Sequence, residues 1–174
     1  MSERKRCLPP IVDNHTRLLI LGSLPGEASL KASHYYAHPQ NQFWRLMGAV
    51  LNEPLAAMQY DQRLATLLQH GVGLWDVIAE AERAGSLDAA IRKHAQNDLT
   101  HLLANLPAVA QIAFNGGTAA RLGQKQLAQQ GISLPCLALP SSSPAYTMAY
   151  DLKLAQWRQL VGHLSQLATR PVPS

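Results

Sequence analysis

Acidic side chains are scarce: 11 aspartates and glutamates stand against 15 lysines and arginines, a net charge of +4 over 174 residues. Charged residues of all kinds make up only 15% and apolar ones 47%. That balance excludes a disordered chain and leaves one folded domain with enough material for a core. The basic excess suits a polyanionic partner without proving one. Cysteine is nearly absent. Cys7 and Cys136 lie too far apart for a disulfide framework, a zinc site or an iron–sulfur site, and Cys136 is expected to be a small core residue. No apolar run approaches the roughly 18 residues of a membrane span. The first residues, Met1 to Cys7, lack the apolar stretch of a secretion signal, so a cytoplasmic protein is expected. Catalytic signatures are missing too. There is no G-x-x-x-x-G-K-[ST], no G-x-G-x-x-G after a strand and no G-x-S-x-G. Glu27 is the sole acid between Thr16 and Trp44, which leaves no carboxylate pair. His34 and His38 have no third metal ligand beside them.

What is present concentrates in Thr16–Trp44. The apolar run Leu18-Leu19-Ile20-Leu21 has the pattern of a strand buried on both faces. It breaks at Gly22-Ser23-Leu24-Pro25-Gly26, and a segment follows that carries His34, Tyr35, Tyr36, His38, Asn41, Phe43 and Trp44. A core strand that empties into polar and aromatic residues is how α/β proteins build sites at strand ends.

The rest of the chain alternates. Residues 1–15 read as an irregular lead-in, 17–22 as a strand, and 23–40 as a site loop. Helices are expected over 42–51 and 60–69. Val72–Ile78 reads as a second strand, ending near Trp75. Ser86 can cap a short helix from Leu87 to Arg92, and Asn97 or Asp98 another that stops before Pro107. Gln111–Phe114 and Leu134–Leu139 are the remaining strands. Helices follow them over 118–130 and 147–167, and 169–174 reads as a disordered tail. Four buried strands alternating with helices predict an α/β fold, a three-layer α/β/α sandwich around a four-stranded parallel sheet, in one domain spanning 1–174.

Three strands end in small or polar turns: Gly22–Gly26, Asn115-Gly116-Gly117-Thr118 and Pro140-Ser141-Ser142-Ser143-Pro144. Parallel strands put these turns on one edge of the sheet, where they can line one crevice. The chemistry on offer is amides, hydroxyls, aromatic faces and backbone dipoles. That set suits a transition state with positive charge on a sugar and negative charge on a departing base, which needs a held water more than a strong nucleophile. Aromatic faces also fit a flipped base.

Each residue has a plainer reading. Asn41 is either a cap for the helix behind it or a catalytic group. Of Tyr35 and Tyr36, one belongs inside and one at the site. His38 either orders its loop or reaches substrate, and Phe43 and Trp44 fit the core. Ser23 bonds its own turn or holds water or phosphate. Asn115 forms an Asx-turn or meets a base. Ser142 and Ser143 cap the last helix or contact phosphate.

The blocks Gly22–Ser29 and Tyr35–Trp44, with Gly71–Val77, Phe114–Ala119 and Leu139–Ala145 in the expected order, resemble the uracil-DNA glycosylase superfamily. Within it the hypoxanthine-DNA glycosylase branch is the nearest in pattern. The resemblance implies a monofunctional enzyme that flips a damaged deoxynucleotide and hydrolyses its N-glycosidic bond, without cofactor, metal or lyase step. It implies a monomer acting on DNA that contains a deaminated base. Many members place Asp or Asn in the first motif where this chain has Ser23 and Leu24. In the deoxyinosine branch the Asn of the His-Pro-x-Asn segment takes that role, which points to Asn41, aided by Ser23. By the same resemblance Gly22, Leu24, Pro25, Gly26, Tyr36, His38, Trp75, Asp76 and Asn115 bind substrate. Tyr36 stacks on the base, and main-chain groups near Trp75 and Asp76 read it. Ser141, Ser142 and Ser143 grip the DNA backbone. Many relatives carry a histidine where this chain has Leu139, a departure compatible with a base other than uracil. Uracil or mismatched pyrimidines remain an alternative substrate, and a non-catalytic nucleic-acid-binding module an alternative function.

Overall fold

The computed structural model describes residues 4–83, 88 and 91–171. The lead-in is not wholly irregular: β1 (Arg4–Arg6) precedes β2 (Leu18–Gly22). Helix α1 (Glu27–Ala32) lies inside the segment expected to be loop, followed by α2 (Phe43–Leu51) and α3 (Tyr60–Gln69). The expected second strand is two: β3 (Val72–Asp76), then, past Val77, β4 (Ile78–Arg83). The chain continues through β5 (Ile91–Gln96), α4 (Leu99–Ala104), β6 (Gln111–Asn115), α5 (Gly117–Gln129), β7 (Cys136–Leu139), α6 (Tyr150–Trp157) and α7 (Gln159–Ala168).

The central sheet is parallel, in the order β3-β2-β6-β7. Strand β2 sits inside it with every residue buried, which is why it reads as an unbroken apolar run. Side chains alternate between faces. Leu18 and Ile20 pack with Phe43, Leu46, Met47 and Trp157 on one side, while Leu19 and Leu21 pack with Ile112, Phe114, Ala119 and Leu122 on the other. These two cores make the expected three-layer sandwich.

A second, antiparallel sheet of order β1-β4-β5 was not foreseen. Its charged pattern hid it: Arg4 and Arg6 both reach Glu80, at 2.7 and 3.4 Å. The expected helix over Leu87–Arg92 gives way where it can be described, since Ile91 and Arg92 lie in β5; Ser86, Leu87, Ala89 and Ala90 lie outside the described residues. The last helix is two segments joined at Arg158. Cys136 is exposed, not a core residue, because β7 is an edge strand. Of the expected tail, Thr169 ends α7, and 172–174 lie outside the described residues.

Candidate active site

Strands β2, β3, β6 and β7 point their carboxyl ends the same way, so Gly22, Asp76, Asn115 and Pro140 meet at one edge. Gly22 and Asp76 are register partners. A β-carbon at Gly22 would lie 2.7 Å from Asp76 Oδ1 and 3.2 Å from the Tyr36 hydroxyl, so only glycine allows this approach. The main chain here is largely committed. Val77 N–H donates to Gly22 O at 2.8 Å and Ile78 N–H to Ser23 O at 3.0 Å. Asp76 O accepts from Asn97 Nδ2 at 2.7 Å. Each of these carbonyls keeps a second lone pair, and the side chains of Ser23, Asp76 and Asn115 are buried at the same edge.

The centre of the site is a hydrogen-bonded chain from three distant segments. Asn41 Oδ1 accepts from Phe43 N–H at 2.9 Å, and Asn115 Oδ1 accepts from Ser142 N–H at 2.9 Å. A backbone N–H can only donate, so both carboxamides have fixed orientations. Asn115 Nδ2 must then donate to Ser142 Oγ at 2.9 Å, and the Ser142 hydroxyl proton must go to Asn41 Oδ1, also at 2.9 Å. The carbonyl end of Asn41 thus holds two donors, while its Nδ2 makes no hydrogen bond among the described residues. Asn41 orders the start of α2 through its Oδ1, as its plainer reading expects, and leaves its amide group with hydrogen-bonding capacity. Ser142 is 1% exposed. Its hydroxyl is an interior link rather than a contact for the DNA backbone. Gly116, at φ +103°, lets β6 turn this closely past Ser141.

Tyr36 stands over the chain. It adopts φ +54°, a left-handed conformation that costs a non-glycine residue about 1–3 kcal/mol. Stacking on Phe43, with ring centres 4.0 Å apart, holds it there. Its hydroxyl is buried without a hydrogen-bond partner. Burial first, then the Asp76 charge, pushes the phenol above its ordinary pKa, against a weaker pull from the Asn115 amide. It stays a protonated donor. Tyr35 is the interior member of the pair, with its hydroxyl on Pro9 O at 2.7 Å. Tyr36, Asn41, Gln42, Arg45 and Arg63 line a cleft of about 460 Å³, which also takes in His38. That is room for a nucleobase-sized ligand. His38 is exposed, and its Nδ1 accepts from Gln40 N–H at 3.1 Å, so it orders its own turn.

Other expected site residues are placed differently. The Ser23 hydroxyl is buried and donates to Asp88 Oδ1 at 2.7 Å, away from the Asn41 chain. Leu24 and Pro25 are buried and Gly26 sits at the start of α1. The Trp75 indole nitrogen is buried without a hydrogen-bond partner. Ser141 Oγ and Ser143 Oγ each accept a backbone N–H, from Ser143 at 3.1 Å and Ala145 at 3.2 Å, and keep their own protons to donate. Two side chains that sequence reasoning passed over hold this loop. Trp157 Nε1 donates to Pro140 O at 2.9 Å, and Lys153 Nζ to Ser143 O at 3.2 Å. The available signal was helical spacing: Lys153 falls on the stripe Tyr150, Leu154, Trp157 that faces the core. Among the described residues no three histidine, cysteine or carboxylate side chains gather as a metal-binding group.

The family model of the uracil DNA glycosylase superfamily matches residues 9–163. A hypoxanthine DNA glycosylase from Methanosarcina acetivorans is 36% identical over 159 residues, covering 91% of this chain and 99% of its own. One from Methanosarcina barkeri is 33% identical over 156 residues, covering 90% and 97%. A solution NMR structure of a Methanosarcina acetivorans protein, provisionally described as a uracil DNA glycosylase, superposes with a TM-score of 0.83 at 36% identity, over 94% of this chain and 99% of that one. With the match running through every strand of the parallel sheet and every turn at its carboxyl edge, the chain belongs to the uracil DNA glycosylase superfamily.

Proposed function

We propose that this protein is a monofunctional DNA glycosylase that releases hypoxanthine from deoxyinosine. The observation that carries the reading is the oriented chain Asn115–Ser142–Asn41, ending in a free amide beside a base-sized cleft. Likeness to two hypoxanthine DNA glycosylases along nearly the whole chain supports the choice of base.

Asn41 Nδ2 can donate to one lone pair of a water and leave the other facing the anomeric carbon. It cannot take the water's proton. As the carbon–oxygen bond forms, the C1′–N9 bond breaks, and its electron pair leaves with the base. The proton lost by the water ends on that base, so free hypoxanthine departs neutral and an abasic sugar remains. Orientation and a preorganised polar site carry the rate in such a step. Tyr36, which lines the cleft, offers the base an aromatic ring. No lysine is assigned a covalent role, so the product is an intact abasic strand. A monomer and metal-free action complete the proposal. Among the described residues, no helix is long and apolar enough to cross a membrane.

The test uses matched oligonucleotides carrying one deoxyinosine, one uracil or no lesion, with alkali to reveal abasic sites. Release from deoxyinosine, lost in Asn41→Ala, is the expected result. Release mainly from uracil would overturn the base assignment, and release from none would leave a binding module. An adduct trapped by borohydride on abasic DNA would contradict the absence of a lyase step.

A further inference from the structure

The cleft beside Asn41 has cations in its wall and, among the described residues, no carboxylate. Arg45 and Arg63 both line it, and both lie against aromatic rings. They are used differently. Arg63 is half-buried and commits its donors to the fold: Nε goes to Met58 O at 3.1 Å and Nη2 to Ala56 O at 2.9 Å. Arg45 is exposed. Its guanidinium carbon lies 3.7 Å from the centre of the ring of Tyr150, the first residue of α6. That ring fixes the cation in place by its quadrupole. It leaves five N–H donors with no hydrogen-bond partner among the described residues. Nor is any carboxylate among those residues within ion-pair distance.

The helix does not call for a cation at this position. Arg45 stands in the first turn of α2, where the helix dipole opposes positive charge, and that turn holds no acid to offset it. Contact with Tyr150 does not call for one either, since an apolar side chain can pack on the same ring. A fixed, exposed and unpaired guanidinium at the rim of a carboxylate-free cleft suits an anion with two oxygens to offer, and a phosphodiester matches its fork.

We propose that Arg45, seated on Tyr150, holds a phosphate next to the flipped nucleotide and so registers the damaged strand at the mouth of the cleft that Asn41 lines. The inference rests on the DNA glycosylase reading and adds a residue to it. A base that enters this cleft brings its sugar with it, and a phosphate lies on either side of that sugar. A contact to one of them carries no sequence information and fixes position instead. Arg45 takes no part in making or breaking a bond.

The experiment is the salt dependence of binding to a short duplex with a tetrahydrofuran abasic site, for wild type, Arg45→Lys and Arg45→Met. It is repeated on duplexes in which a neutral methylphosphonate replaces the phosphate on the 5′ or the 3′ side of the lesion. Loss of one phosphate contact makes the slope of log K against log salt shallower by about 0.9. Arg45→Met is expected to show that change, and Arg45→Lys to keep the wild-type slope. A methylphosphonate on one of the two sides should weaken wild type and leave Arg45→Met no weaker than it already is. Single-turnover rates at saturating deoxyinosine DNA should fall less than affinity. A wild-type slope in Arg45→Met would overturn the proposal, and so would methylphosphonates that weaken wild type and Arg45→Met alike at both positions. Wild type alone gives a check that needs no variant. In nitrogen-15 NMR the Arg45 Nε–H resonance moves on titration with the unmodified abasic duplex, and an unmoved resonance is equally fatal. If wild type binds this duplex but releases no base from any oligonucleotide, the enzymatic reading alone fails, because the slope is measured independently of turnover.

Discussion

The two ends of the parallel sheet differ in what they bury. At the amino end, a groove of about 510 Å³ is lined by His15, Arg17, Val50, His70, Leu164 and Leu167 among others. It exceeds the cleft of about 460 Å³ beside Tyr36 and Asn41. Its polar groups nevertheless serve the fold. Arg17 donates from its guanidinium to Leu167 O, and Arg17 and Leu18 both bond Gly71 O through their amides, at 2.8 and 3.0 Å. His70 meets Glu53 at 3.1 Å with both side chains about one-third exposed. The carboxyl end buries Ser23, Asp76, Asn115, Ser142 and Lys153, against Thr16 and Gln111 at the amino end, and holds Tyr36 in a left-handed conformation. Each buried polar group costs free energy unless it is fully partnered. Groove size and the density of buried polar groups thus point to opposite ends of the sheet, and the proposed site follows the second, at the edge where open α/β sheets bind ligands.

The sharpest way to break this contrast is at Asn41. Asn41→Ala should lower turnover on deoxyinosine DNA by roughly 10²–10⁴, the span typical of a positioned group that handles a water, while affinity for an abasic-site analogue changes little. Asn41→Asp tests the direction of the chain. An aspartate keeps both acceptor bonds, to Phe43 N–H and Ser142 Oγ, but loses the free donor. Its melting temperature should stay near wild type, with turnover as poor as in the alanine variant. An active Asn41→Asp enzyme would mean that the residue works as an acceptor.

Next in size is Gly22→Ala. The added carbon would meet Asp76 Oδ1 at 2.7 Å and the Tyr36 hydroxyl at 3.2 Å, so the strand end must shift. Overpacking of this kind costs about 1–3 kcal/mol. Because the strain falls on substrate-side groups, turnover should drop by more than the stability loss alone accounts for, as read by assays well below the melting temperature. Ser142→Ala is gentler. It strands Asn115 Nδ2 and removes one donor from Asn41, a penalty of about 1–3 kcal/mol in stability and about tenfold in turnover. Unchanged kinetics with full loss of stability would make the chain a structural tie only.

Much of this was legible in the sequence, unevenly. The parallel sheet announced itself because β2 is buried on both faces and must be apolar throughout. The segment from Gly22 to Trp44 announced itself because polar and aromatic side chains follow that strand at once. The antiparallel sheet of β1, β4 and β5 did not, since its strands carry charges whose pairing across the chain, Arg4 with Glu80, leaves no local period. At the site, Asn41 and Tyr36 stood out by residue type. The splitting of Ser141, Ser142 and Ser143 into two outward hydroxyls and one inward link is invisible in a run of identical residues. It is set by Asn115, 27 positions away from Ser142 in sequence. Lys153 was hidden for a different reason: a lysine on a helix reads as solvated surface until its neighbours Tyr150, Leu154 and Trp157 are seen to share its stripe.

The smallest expected effect lies at the opposite end of the sheet and guards the comparison. His70→Ala removes the contact with Glu53 at the mouth of the larger groove. A pair of this kind, about one-third exposed, is worth about 0–1 kcal/mol, because water solvates both partners nearly as well when they separate. No residue of that groove touches the Asn41 chain, and β2 separates the two as a rigid buried strand. Melting temperature should fall by no more than a few degrees, and turnover and affinity for abasic DNA should match wild type. A clear loss of turnover would show that the amino end takes part in the reaction and that buried polar groups alone do not mark the working end of this sheet.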